Sequence, residues 1–371
     1  MKPAMNSIFD QPFCFANGAT LRNRIVMAPM TTWSGQDDGW QTPEELAYYE
    51  ARAGGVGMLV TGTTYTVPNG KGFSGQFYAG EDRFIVGLTE LANRIKRGGA
   101  KAVLQIFHAG KQSRPELSGN DVVSASDLPS ERPGAARPRA LADAEIEIII
   151  RSFGEATRRA IAAGFDGVEI HGANGYLIQQ FFSPYSNCRT DRWGGSLEAR
   201  ARFPLAVVDA VLQAAKKHAD QTFIVGHRFS PEETKDPGIT LDDTLYLVDR
   251  LAEKALTYLH VSLGRFDQTS QRDKSDRRII GQMIHQRLKG RMPLVGVGGV
   301  KGADDLQRAF NTGYELVAVG RALAVEPQWV QKARAGETIV PVIAKEDCAR
   351  QCMPEKMFEA LKKMFPDTVA S

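Results

Sequence analysis

Short apolar runs rich in β-branched residues recur along the chain. They lie at Arg24 to Ala28, Gly57 to Thr61, Ala102 to Phe107, Gly167 to Ile170, Phe223 to His227, Tyr258 to Ser262, Leu294 to Val297 and Leu316 to Val319. Between many of them apolar residues take helical spacing, in Ile85–Arg97, Ile146–Ala163, Ala201–His218, Leu241–Lys254 and Ala303–Asn311. Continuous apolar runs suit strands buried on both faces, and strands alternating with helices make parallel βαβ units. Eight such runs predict an α/β fold closed into a single TIM (β/α)8 barrel. Lys96-Arg97-Gly98-Gly99, Ala162-Ala163-Gly164 and Asn311-Thr312-Gly313 read as helix stops just ahead of the next strand.

The stretches outside this alternation complete the outline. Phe13 and Phe15 alternate with other residues, Asn17-Gly18 is a turn signal, and Leu21 follows. These predict an N-terminal β-hairpin over residues 11–22, placed to close the bottom of the barrel. Residues 108–143 and 264–280 are polar and aperiodic, and read as loops over the mouth. Residues 340–371 carry a helical pattern (Met357, Leu361, Met364, Phe365), expected to pack outside the barrel. The chain thus reads as one domain over 1–371, with the barrel at about 22–335 and a helical extension at 336–371.

Composition narrows the function. The 371 residues are 43% hydrophobic and 24% charged, as in soluble globular proteins, and a net charge of +3 gives no case for nucleic acid or membrane. Met1 to Asp10 lacks a secretory pattern, and four cysteines argue against a disulfide scaffold. A cytoplasmic location is expected.

The chemistry concentrates at residues 165–202. His171, Asn174 and Tyr176 follow within six positions where the Gly167 to Ile170 run gives way to a loop. A lone buried histidine is more often a satisfied core residue, and a lone tyrosine a core aromatic. Together at a strand end, the first two can hold one oxygen and the third carries a transferable proton. The H-x-x-N-G-Y block, the S-P-x-S-N-x-R-T-D-x-x-G-G-S run from Ser183 and the R-x-R-F of Arg200 to Phe203 stand in order. This stretch resembles the Old Yellow Enzyme family of flavin-dependent ene-reductases, and the resemblance extends over about residues 8–335.

That resemblance implies FMN as cofactor and NADH or NADPH as hydride donor, with an electron-poor alkene as the small-molecule substrate. His171 and Asn174 would hold the substrate carbonyl and Tyr176 would protonate the α carbon. Ala28, Pro29, Met30 and Thr31 match the segment along the flavin, and Thr63, Gln105, His171 and Arg228 match further cofactor contacts. Gly298, Gly299, Gly320 and Arg321 match the phosphate site, at the strand ends where such barrels usually bind phosphate. They form no dinucleotide fingerprint, because Lys301 stands where G-x-G-x-x-G needs its last glycine. Trp33 is placed to line the substrate pocket or simply to pack. His227, one residue from Arg228, should face the other way. Oligomeric state stays open because family members differ.

Cys348 and Cys352 stand four apart, but no further cysteine or histidine nearby completes a metal site, so they read as structural. Cys188 has no basic partner in the pattern. Dienoyl-CoA reductase relatives carry four spaced cysteines for an iron–sulfur site, which this tail lacks. That relative, an amine dehydrogenase and a flavin redox sensor without a small substrate are the alternatives.

Overall fold

The computed structural model describes residues 7–370. Most of the Met1–Asp10 expectation, and the ends of the 1–371 span, fall outside them. Eight parallel strands close on themselves: β1 (Ile25–Met27), β2 (Met58–Tyr65), β3 (Lys101–Phe107), β4 (Gly167–Gly172), β5 (Ile224–Phe229), β6 (Tyr258–Val261), β7 (Leu294–Val297) and β8 (Leu316–Val319). Strand β1 seals the barrel by pairing with β8, Ile25 opposite Val317, and with β2, Val26 opposite Met58. Helices α1 (Pro43–Ala53), α2 (Ile85–Arg97), α3 (Asp143–Ala162), α4 (Leu197–His218), α5 (Leu241–Ala252), α6 (Ile280–Leu288) and α7 (Ala303–Asn311) connect successive strands. Short helices Arg321–Val325 and Trp329–Arg334 follow β8.

Periodicity does not single out α1 or α6. Helix α1 is nonetheless written into its first turn: the Thr42 hydroxyl accepts from the Glu45 amide, Pro43 takes the first helical position, and Glu44 and Glu45 face the positive end of the dipole. Strand β2 runs four residues beyond its apolar pattern. Its upper half, Thr61 to Tyr65, is polar, but β-branched threonines suit a strand and the backbone stays paired to β3. A register shift between Val60 and Thr63 brings Thr63 opposite Gln105. Strand β5 likewise extends to Phe229, so Arg228 lies inside it rather than at its end.

The hairpin forms as expected, Phe13–Cys14 pairing antiparallel with Thr20–Leu21 around Gly18 at φ +88°. It inserts Phe15, 2% exposed, into the lower barrel among Val26, Met58, Val103 and Ile224. The Phe15 ring lies 6.2 Å from that of Tyr258. Burying such a side chain contributes about 2–3 kcal/mol.

The tail helix packs outside the barrel against α1, and the chain beyond it goes further than the pattern indicated. That helix, Glu355–Met364, buries Met357, Phe358 and Leu361, while Met364 is exposed. Buried Arg52 on α1 clamps the chain before that helix, donating to the carbonyls of Gln351 (3.1 Å) and Cys352 (3.5 Å). The chain then turns over the mouth, where Phe365, Asp367 and Thr368 line a cavity with Gly299 and Arg321. The 108–143 loop also carries order, a parallel pair of Val123–Ser124 with Arg139–Ala140. Among the described residues no helix is long and apolar enough to cross a membrane.

Candidate active site

Above the apolar lower barrel the inward-facing residues become polar. Gln105 on β3 stands opposite Glu169 on β4, and its Nε2 donates to Glu169 Oε1 at 2.7 Å. Glu169 Oε2 accepts from the Tyr258 hydroxyl at 2.8 Å and from His260 Nδ1 at 2.9 Å. Tyr258 reaches it because Gly226 has no Cβ, which would sit 2.2 Å from the tyrosine ring. Burial alone would raise the Glu169 pKa, but His260, Arg228 and Tyr258 more than offset it and hold the carboxyl well below the usual range. An ionised carboxylate only accepts, so His260 Nδ1 carries the proton; burial keeps that ring neutral.

One layer higher, Arg228 on β5 faces His171 on β4 and His260 on β6 across the sheet. Arg228 is 8% exposed; its Nη2 donates to Ser262 Oγ at 3.1 Å, and its buried Nε has no partner among the described residues. Ser262 in turn donates to Asn174 Oδ1 at 2.9 Å, and Ser230 Oγ accepts the Asn174 backbone N–H at 2.8 Å. Asn174 sits at φ +59°, a left-handed conformation asparagine tolerates better than most residues. With its carbonyl oxygen taken by Ser262, its amide NH2 is left to donate.

His171 is buried, and its ring centroid lies 5.2 Å from that of Tyr176. Phe107 locates both rings, 5.7 Å from His171 and 4.5 Å edge-on to Tyr176. Burial first, and then the Arg228 charge, push the His171 pKa well below its ordinary value, so the ring is neutral. Burial also pushes the Tyr176 phenol up to about 12. His171 Nδ1 has no partner among the described residues. The structure therefore gathers His171 and Tyr176 directly, and joins Asn174 to Arg228 through Ser262.

Beside them a cavity of about 290 Å³ is lined by Ala28, Pro29, Met30, Arg228, Gly298, Gly299, Gly320 and Arg321. Gly298 and Gly299 stand at φ +109° and +72°, and a Cβ on Gly298 would lie 2.6 Å from the Leu263 carbonyl oxygen. Glycine here lets backbone amides turn toward a phosphate. The cradle, the unpartnered Arg228 Nε and the basic Arg321 fit FMN. Arg321 meets Asp367 at 3.6 Å and Phe365 at 4.7 Å from the ring centroid.

The other sequence candidates have protein neighbours of their own. Thr63 accepts from Gln76 Nε2 at 2.8 Å, and Gln105 is committed to Glu169. Thr31 is half-buried, and the hydroxyl bonded in that segment is that of Thr32, to Glu45. Trp33, at φ +55°, lines a cavity of about 670 Å³ with Tyr176 and Arg132. His227 is fully buried with neither ring nitrogen bonded among the described residues. Cys348 Sγ donates to the Ala344 carbonyl at 3.7 Å. Sequence reasoning passed over Glu169, His260, Ser230 and Ser262. Glu169, an acid inside an apolar strand, carries the same signal as Gln105, and Ser262 stands at a strand end.

The family model described as "NADH:flavin oxidoreductase / NADH oxidase family" matches residues 7–338. The chain is 45% identical over 364 residues to the "Probable NADH-dependent flavin oxidoreductase YqiG" of Bacillus subtilis (strain 168), covering 97% of each. It is 45% identical to the "NADH:fumarate oxidoreductase" of Klebsiella pneumoniae (strain 342), over 96% of this chain but only 39% of that longer protein. A solved structure of morphinone reductase in complex with tetrahydroNAD is 27% identical with a TM-score of 0.76, covering 89% of this chain and 91% of that one. With this match to sequence and fold, the chain belongs to the NADH:flavin oxidoreductase family, the Old Yellow Enzymes, which work with FMN and a nicotinamide hydride donor.

Proposed function

We propose that this protein reduces the C=C bond of α,β-unsaturated carbonyl compounds and other electron-poor alkenes. The observation that carries the reading is the placing of Tyr176 beside His171, 5.2 Å between ring centroids, with the Asn174 amide freed by Ser262. FMN, when bound, would supply the hydride chemistry that links the nicotinamide donor to the β carbon of the alkene. His171 and Asn174 donate to the substrate carbonyl oxygen and stabilise the charge that develops there. A neutral His171 serves as donor without carrying a full charge. Tyr176 protonates the α carbon, and a phenol pKa pushed up to about 12 keeps its proton in place across physiological pH. Arg228 would lie against the ring, with Ala28 to Thr31, Thr63 and Gln105 along it and Gly298, Gly299, Gly320 and Arg321 on the phosphate. Trp33 would border the substrate. The names of the relatives favour NADH as donor.

Label tracing tests this. With donor deuterated at the transferred position, reduction of 2-cyclohexenone should place deuterium at the β carbon. In D2O with ordinary donor, deuterium should appear at the α carbon. Absence of reduced product, with NADH still consumed in air, would reject the alkene reaction.

A second reading has one observation behind it. The chain covers 39% of a protein whose name gives fumarate as acceptor, which leaves most of that protein to house the acceptor site. In that reading the chain oxidises NADH for another domain or partner, and no free alkene would reoxidise it.

A further inference from the structure

A basin of about 600 Å³ opens beside the site, its wall including Gly175 and Ser262, the neighbours of Tyr176 and Asn174. Lys111 is 6% exposed in its wall. Among the described residues its Nζ makes no hydrogen bond and no ion pair; the only hydrogen bond at Lys111 outside regular structure is from its backbone N–H to Gln180 Oε1. Its close companion is the Tyr185 ring, 5.2 Å from the nitrogen. Burial pulls its pKa down, while Glu233 and Glu131 pull it back up through space. Arg132 lines the same basin and also the Trp33–Tyr176 cavity. Its Nη1 and Nη2 donate to the carbonyls of Gln112 and Ser113, both at 3.1 Å, and it meets no carboxylate among the described residues.

The three acids of the basin are differently placed, because each is already engaged, Glu232 by Ser270 Oγ at 2.8 Å and the Gln271 backbone N–H. Glu131 takes the Tyr185 hydroxyl at 3.0 Å and the Lys235 ammonium. Glu233 takes Gln179 Nε2 at 2.8 Å and Ser183 Oγ at 2.5 Å. Two cations with spare donors thus share a basin whose carboxylates are bonded into its walls. An ammonium at the end of a mostly buried side chain, open to the basin and without a bonded partner, is free to take an oxyanion by a charge-assisted hydrogen bond.

We propose that this basin is an oxyanion subsite, where Lys111 and Arg132 meet a phosphate or carboxylate carried by the ligand that reaches His171 and Tyr176. The proposal rests on the reading that donor and alkene enter over those residues. A volume of about 600 Å³ is roomy for a lone carboxylate and suits the phosphate-bearing part of a dinucleotide.

The test uses the flavin-loaded protein and the variants K111Q, K111R and R132Q, each checked for full flavin content. Binding of tetrahydroNAD, which cannot donate hydride, is read from the change in flavin absorbance. Its Kd should rise about tenfold in K111Q or R132Q, the loss of one charge-assisted hydrogen bond, and recover in K111R. Bleaching by 1-benzyl-1,4-dihydronicotinamide, which has no phosphate, should keep its wild-type concentration dependence. A second arm follows reoxidation of reduced flavin by fumarate and by 2-cyclohexenone. A defect confined to fumarate would support the subsite and assign it to a substrate carboxylate. Wild-type binding of both anionic ligands by both variants would overturn the proposal, as would equal weakening of the phosphate-free donor. Failure of both alkenes to reoxidise the wild-type protein would reject the ene-reductase reading, while the tetrahydroNAD arm would still decide the subsite.

Discussion

The two ends of this barrel are built on opposite terms. At the bottom, Phe15 fills an apolar interior of Val26, Met58, Val103 and Ile224, with no polar side chain in that cluster but the Tyr258 ring above it. At the mouth, Arg228 Nε and His171 Nδ1 are buried without partners among the described residues, and Trp33 and Asn174 hold left-handed backbone. Native cores seldom leave buried polar groups unbonded, and strained residues gather at functional sites. The lower half supplies stability; the upper half is arranged for a ligand. Between them lies the Gln105–Glu169–Tyr258–His260 layer, polar and knit together around the Glu169 carboxylate, with His260 Nε2 left without a partner among the described residues, and it forms the floor of the site.

That contrast can be broken by changing each end separately. The largest expected effect is at the mouth. Tyr176→Phe should slow flavin reoxidation by an alkene about 10²–10⁴-fold while leaving bleaching by NADH intact. Stopped-flow absorbance reads both, and an unchanged reoxidation rate would remove the phenol from proton transfer.

Next in size is the bottom. Phe15→Ala should cost about 3–5 kcal/mol of stability without altering the chemistry of folded protein. Urea unfolding with flavin retained measures it. A stable variant with lost activity would contradict the division of labour.

Acid probes the burial of the polar upper half. His108, His171, His227 and His260 are all fully buried, with burial as the largest cause lowering each pKa from 6.5; His227 falls to about 4 and His108 to about 3. The unfolded chain binds these protons first as pH falls. Stability is therefore full above about pH 6.5 and declines below it, by about 1.4 kcal/mol per pH unit for each ring until its folded pKa is reached. Glu45 acts with the opposite sign: burial raises its pKa to about 8, so its contribution is lost as pH rises from 4.5 through 8. Four rings outweigh one carboxyl, and the melting temperature should be lower at pH 5 than at pH 7.5. An equal or higher value at pH 5 would mean that the histidines are not held neutral.

The smallest effect sharpens the picture of the mouth. Ser262→Ala should release the Asn174 amide and slow the alkene step about fivefold, the equivalent of one ordinary hydrogen bond, with FMN still bound. No change in rate would mean that Asn174 is held by its backbone alone.

The sequence made this architecture readable where pattern and structure obey the same rule. The eight runs are buried on both sides, so hydrophobicity marked them, and Asn17-Gly18 marked the hairpin. Reading failed where tertiary contacts decide. The upper half of β2 is polar, and only its pairing to β3 makes it strand. The tail turns over the mouth because Arg52, 300 residues earlier, holds the carbonyl of Cys352. His171, Asn174 and Tyr176 were visible as a spaced motif, but the serine that aims the Asn174 amide is 88 residues away. A polar residue inside an apolar strand is a usable clue, and Gln105 and Glu169 carry it equally.

One anaerobic experiment bears most directly on the central claim. Flavin-loaded protein is bleached with a single equivalent of NADH and mixed with excess 2-cyclohexenone, and the flavin absorbance is followed without oxygen. The yellow band should return in a single turnover, with one equivalent of cyclohexanone formed. If the flavin stays bleached until air is admitted, the protein passes its electrons elsewhere and the assignment of His171, Asn174 and Tyr176 to alkene reduction is wrong.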